Sequence, residues 1–161
     1  MASVLGPLRA LHFEYHRVVK PALLTFLDAN VIFSAALGGQ TFVELWTALG
    51  AGGYSPCTSP QCVDEVRRNL MLKRPAALPK LETTLEGVLV LPAPVQLVDW
   101  AAGKLPEDDG WVLAGALEAG ARVLLTGNTR HFGWLMERSD LPIRVRTVRA
   151  FLDELAAAPL P

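Results

Sequence analysis

Residues 107–132 read EDDGWVLAGALEAGARVLLTGNTRHF, and this stretch shows most clearly the alternation of helix and strand that runs through the chain. From Asp108 to Ala119, Val112, Leu113, Ala116 and Leu117 recur at helical spacing, and Gly120 follows where a helix end favours glycine. Arg122–Leu125 (RVLL) then reads as a buried strand that ends at Thr126-Gly127-Asn128. A helix passing through a short turn into an apolar strand is half of a parallel α/β unit.

Upstream, Leu23–Leu27 (LLTFL) is a first strand that stops at Asp28, and Thr41–Leu49 is a helix with Phe42, Leu45, Trp46 and Leu49 on one face. Tyr54–Thr58 is a second strand, followed by Ser59-Pro60, the residue types of an N-cap and first helical position, and a helix over 60–73. Another helix is expected over 80–86, a strand over 88–91 stopped by Pro92, and a short helix over 95–102. Downstream, 143–145 is a last strand and Thr147 opens a terminal helix through Leu155. The strand runs lack the polar alternation of a half-exposed sheet, so the pattern predicts a parallel sheet covered by helices on both faces.

The chain has 161 residues, 51% hydrophobic and 19% charged, which suits a domain able to bury a substantial core. A net charge of −1 provides no general basic field, so any polyanion must be met by a local patch. Cys57 and Cys62 lack the further ligands of a zinc site and read as reduced, structural thiols. The opening segment, residues 1–20, is broken by Gly6, Pro7, Arg9, His12 and Glu14 and is expected to be either an added helix or a loose extension. No apolar run reaches membrane-spanning length, and a cytoplasmic protein with no membrane partner is expected.

Four polar positions occupy comparable places: Asp28 after the first strand, Glu65 early in the helix after the second, Asp109 at a helix start and Asn128 after RVLLTG. In a parallel sheet, strand C-termini and the following helix N-termini share one side, where ligands bind. Each residue also has a local reading. Asp28 and Asn30 suit a turn cap, Glu65 beside Asp64, Arg67 and Arg68 suits a solvated face, Asp108 or Asp109 suits a helix cap or first-turn acid, and Asn128 suits a left-handed turn. Taken together, three converging carboxylates repel one another unless a cation compensates them, and oxygen donors suit Mg²⁺ or Mn²⁺. With no Ser-His pair and no reactive cysteine context, metal-assisted hydrolysis of a phosphoryl group is the expected chemistry.

The three stretches FLDANVIFSA (26–35), CVDEVRRNL and EDDGWVLAGALEAGARVLLTGNTRHF, in that order, resemble a PIN domain of the VapC toxin type, and IRVRTVRAFLDEL resembles that family's last strand and helix. The resemblance spans about residues 23–155 and sets the domain at 21–158. It implies a three-layer α/β/α fold with a five-stranded parallel sheet and a Mg²⁺- or Mn²⁺-dependent ribonuclease activity. By the same resemblance Asp28, Glu65 and Asp109 are metal ligands, with adjacent Asp108 the competing choice for the third. Many relatives carry aspartate where this chain has Asn128, so a second ion is in question, and Thr126 and Asn128 are expected to orient water.

Arg67, Arg68, Lys73, Arg74, Lys104 and Arg130 are candidates to cradle an RNA backbone. His131 is read as a packed or exposed side chain beside Phe132, and Trp111 and Trp134 as the likelier tryptophans at an interface. The resemblance implies RNA as substrate, an antitoxin partner that fills the acidic pocket, and a homodimer. The alternative is a non-catalytic RNA- or protein-binding module that keeps the fold after losing its metal.

Overall fold

A computed structural model describes residues 22–158, and the extension expected over 1–20 lies outside them. Strands β1 (Leu23–Leu27), β2 (Tyr54–Thr58), β3 (Leu89–Val90), β4 (Val123–Leu125) and β5 (Arg144–Arg146) form one parallel sheet in the order β3-β2-β1-β4-β5. The chain builds outward from β1 to β3, then crosses back to lay β4 and β5 on the other flank of β1. The strand order therefore reverses between β1 and β4, and open α/β sheets bind ligands outside the strand C-termini at such a switch point.

Right-handed crossovers assign helices α1 (Ala29–Leu37), α2 (Gln40–Ala51), α3 (Pro60–Lys73) and α4 (Leu78–Glu86) to one face and α5 (Glu107–Glu118) and α6 (Thr129–Met136) to the other. Helix α7 (Val148–Ala157) follows β5 and packs on α2, while α1 packs on α3 and α4. The helix starts follow their residues. Ser59 Oγ accepts from Cys62 N at 3.4 Å ahead of Pro60, and Thr147 Oγ1 accepts from Ala150 N at 3.1 Å. Gly38 and Gly39, at φ 85° and 124°, break the chain between α1 and α2 in a region that disfavours side chains.

The core lies on both sides of the central strands, with Phe26, Leu27, Val123, Leu124 and Leu125 buried together. A Cβ added to Gly115 would lie 3.2 Å from Phe26 Cζ, so α5 sits on β1 at a separation that a side chain at 115 would widen. That contact sets the height of α5, and hence of its N-terminal acids, over the end of β1.

Two helices are absent from the sequence reading. Helix α1 (ANVIFSAAL) is almost wholly apolar and contains Val31 and Ile32, so it shows no polar face to mark its period. Helix α6 is only eight residues and includes Gly133. The helix expected over 95–102 shrinks to a 3-10 turn at Asp99–Ala101, in a segment that follows Pro92 and Pro94 and contains β-branched Val95 and Val98. Trp134 meets Trp100 edge to face, with centroids 6.4 Å apart, while Trp111 is half-buried.

Candidate functional site

Asp28 continues the ladder beyond β1, its N–H donating to Leu125 O at 3.0 Å, and it is 4% exposed. The cap reading holds, since Asp28 is the N-cap of α1 and its Oδ1 accepts from Ala29 N at 2.7 Å. The same carboxylate is also tied across the switch point. Its Oδ2 accepts from Thr126 Oγ1 at 2.7 Å and from Asn30 Nδ2 at 2.9 Å. Asn30 completes the link by accepting from Gly127 N through Oδ1 at 2.7 Å. Thr126, fully buried after β4, thus donates to a side chain while its Oγ1 also accepts from backbone, the N–H of Asn128.

Asn128 has φ −85°, so it is not a left-handed turn residue but the N-cap of α6. Its N–H donates to Thr126 Oγ1 at 3.0 Å, and its Oδ1 accepts from His131 N at 3.2 Å. Helix α5 has Pro106 at its N-cap with no side-chain cap, so Glu107, Asp108 and Asp109 are all first-turn acids that favour the positive end of the helix dipole. Asp108 is exposed, whereas the Asp109 side chain is 17% exposed and its Oδ2 lies 2.6 Å from His131 Nδ1. Glu65, half-buried on α3, belongs to the same neighbourhood because Gln61 Nε2 reaches the Asp108 carbonyl at 3.5 Å and joins the starts of α3 and α5.

The carboxylates feel one another. Burial above all pushes the Asp28 carboxyl up, against the hydrogen bonds from Thr126, Ala29 and Asn30, and the charge of Asp109 adds to the rise. Burial likewise raises Glu65, followed by the charges of Asp28 and Asp108, with Arg68 opposing and Asp109 adding. Cys62 is raised by burial first, with Asp28 and Glu65 adding, and Cys57 is pushed up to about 12 by burial. Both cysteines are free and buried, and neither is a ready thiolate.

These groups suit a divalent cation in donor type and charge: hard oxygens, mutually repelling, with two carboxyls driven toward the neutral form. Among the described residues no three acidic, histidine or cysteine groups stand close enough to enclose an ion by themselves. Mg²⁺ characteristically takes one or two protein carboxylates and fills its remaining positions with water and substrate phosphate, so an open arrangement is compatible with it.

One consequence concerns stability. A carboxyl whose folded-state pKa is raised costs stability as pH climbs from its ordinary value, 4.5 for Glu65, through the folded value. Glu65 makes no hydrogen bond to another described residue, so Glu65→Gln removes the repulsion without breaking a bond. In chelator at pH 7 this variant is expected to melt about 2 °C or more above the parent. The gain should shrink as pH is lowered toward 4.5, a trend that calorimetric melts at several pH values check. An unchanged or lower melting temperature at pH 7 would show that Glu65 is not under this pressure.

The basic candidates are dispersed. Arg67 is engaged by Glu82 through two bonds of 3.1 and 3.2 Å on the exposed side of α3. Arg68, Lys73, Arg74 and Arg130 are exposed, and Lys104 Nζ lies 5.2 Å over the Trp134 ring. A pocket of about 520 Å³ lies beside the switch point, lined in part by Asn30, Ser34, Phe42, Gly127 and Asn128. A neighbour of the acidic residues that the sequence reading gave only as packed or exposed is His131, three residues after a capping asparagine. Recognising α6 would have placed His131 at the third helical position, beside its cap.

The sequence from residue 25 to 130 matches the family model described as PIN domain. The fold is similar to VapBC2 from Rickettsia felis, solved bound to a DNA fragment from its promoter. That match has a TM-score of 0.60 at 15% identity over 78% of this chain and 98% of the other. It is also similar to VapBC-1 from nontypeable Haemophilus influenzae, with a TM-score of 0.56 at 17% identity over 79% of this chain and 99% of the other. At these identities the likeness is one of fold. No curated protein matches the sequence.

Proposed function

The chain belongs to the PIN domain family, and from that premise we propose that it is a ribonuclease that hydrolyses RNA phosphodiester bonds with Mg²⁺ or Mn²⁺. The observation that carries this reading is the tie across the switch point: Asp28 after β1 is bonded to Thr126 after β4, while the charge of Asp109 adds to the rise at Asp28 and the charge of Asp28 adds to the rise at Glu65. Asp28, Glu65 and Asp109 would hold the ion. When bound, it supplies Lewis acidity that neutralises charge developing on the phosphoryl group and makes water a better nucleophile.

The chain's own residues supply order. Thr126 and Asn30 donate to Asp28 Oδ2 and fix that carboxylate against β4. Asn128 is neutral and capped onto α6, so it brings no charge to the site, which favours one ion over two. Arg68 and Arg130, both exposed near the site residues in sequence, are proposed to meet the RNA backbone, where phosphate contacts give affinity without reading sequence. Arg67 would have to leave Glu82 to do so.

Incubation of the pure protein with mixed RNAs tests the reading. Cleavage is expected with Mn²⁺ or Mg²⁺ and its loss in chelator; cleavage that persists in chelator would contradict it. The second reading, a module that binds RNA or protein without cutting, is favoured by the neutral Asn128 and by the absence, among the described residues, of a closed acidic cage. RNA retained on the protein, uncut at saturating Mn²⁺, would select it.

We further propose an antitoxin partner and a C2 homodimer for a single domain over 21–158. The partner is supported by fold similarity to two VapBC structures and by an acidic site suited to an inserted arginine or lysine. Light scattering of the purified protein tests the dimer, and a monomer would refute it. No helix among the described residues is long and apolar enough to cross a membrane. A cytoplasmic location is proposed from the family alone.

A further inference from the structure

The hydrogen bonds that begin at Asp28 do not end at Thr126. Thr126 Oγ1 accepts from Asn128 N, Asn128 Oδ1 accepts from His131 N, and His131 Nδ1 lies 2.6 Å from Asp109 Oδ2. One continuous path thus joins the acid after β1 to the acid on α5 by way of the first turn of α6. We propose that His131 is a positioning residue that holds Asp109 through an Nδ1–H donor, leaving Oδ1 of Asp109 as the oxygen offered to a cation. The role of Asp109 rests on the nuclease reading above; the histidine contact does not.

The donor follows from chemistry. An ionised carboxylate oxygen only accepts, so a 2.6 Å contact with Asp109 requires the proton on Nδ1. Asn128 Nδ2 stands 2.9 Å from that same ring nitrogen and is itself a donor. Turning the amide over would satisfy the ring N–H but set Nδ2 against the His131 backbone N–H, which now donates to Oδ1 at 3.2 Å. Neither orientation of an asparagine meets both donors, whereas a carboxylate at 128 would accept from each. Asn128 is therefore a cap whose amide competes with Asp109 for the ring, and His131 links position 128 to Asp109 as Thr126 links it to Asp28. Orienting a ligand from outside the ligand set in this way is a common use of hydrogen-bonded side chains.

The tautomer is directly measurable. In protein with ¹⁵N-labelled histidine, long-range nitrogen–proton spectra are expected to show His131 protonated on Nδ1. In Asp109→Ala the ring loses its acceptor, and Asn128 Nδ2 is expected to donate to a bare Nδ1, moving the proton to Nε2. A bare Nδ1 in the parent protein, or an unchanged tautomer in Asp109→Ala, would overturn the proposal.

Kinetics give a second, separate readout. His131→Asn keeps an amide donor near the place of Nδ1, whereas His131→Phe keeps the ring and loses the donor. The phenylalanine variant is expected to lose about 10–100-fold in kcat with KM within about twofold, and the asparagine variant to recover most of that loss. Equal activity in all three proteins, or equal loss in both variants, would overturn the proposal. A parent protein that cleaves no RNA would instead sink the nuclease reading, and the tautomer would still decide whether His131 holds Asp109.

Discussion

Asp109→Asn and Asp28→Asn are each expected to reduce RNA cleavage by about a thousandfold, while both variants still fold and melt cooperatively. Removing one charged ligand forfeits several kcal/mol of transition-state charge stabilisation, and every ~1.4 kcal/mol is a factor of ten in rate. Folding survives for a local reason at each position. Asp109 lies in the first turn of α5 beside Glu107 and Asp108, so the helix start keeps two of its three acids. At position 28 an asparagine oxygen can still accept from Ala29 N, and the burial that disfavours the Asp28 charge no longer acts on a neutral amide. Steady-state cleavage of a labelled RNA beside thermal melts separates the two effects. Loss of activity with loss of folding would assign Asp28 and Asp109 to structure alone.

Phe26→Ala is expected to cost ~3–5 kcal/mol, the range for emptying a large aromatic site in a core. Against a typical domain stability of ~5–15 kcal/mol this is a large fraction of the whole. Phe26 is 1% exposed and lies where a side chain on Gly115 would have to go, so the void opens directly between β1 and α5. The complementary change, Gly115→Val, overfills the same contact at a cost of ~1–3 kcal/mol and lifts α5 away from the sheet. Because Asp109 rides on α5, the valine variant should lose cleavage out of proportion to its stability. Urea unfolding and cleavage rates measured on the same samples check this. A Phe26→Ala loss under ~1 kcal/mol would mean the contact does not set the height of α5.

The sequence was legible where hydrophobic pattern and end signals agreed. LLTFL followed by Asp28 marked β1 and its exit, Ser59-Pro60 marked the start of α3, and RVLLTGN marked β4 and its turn. It was opaque where a helix is buried enough to lose its polar face, as α1 is, or too short to show a period, as α6 is. That second failure had a chemical consequence. With α6 unseen, the local reading of Asn128 was a left-handed turn and His131 read as packed or exposed, whereas the first caps the helix and the second reaches Asp109. Asp28 shows that local and functional readings need not compete: its Oδ1 caps α1 while its Oδ2 is tied to β4.

The central claim is that Asp28, Glu65 and Asp109 together hold one divalent cation. Calorimetric titration of Mn²⁺ into the RNA-free protein, beside Asp28→Asn and Asp109→Asn, tests it most directly. A single saturable heat in the parent chain that disappears in both variants is the expected result. Equal binding in all three proteins, or no binding by the parent at millimolar Mn²⁺, would contradict it.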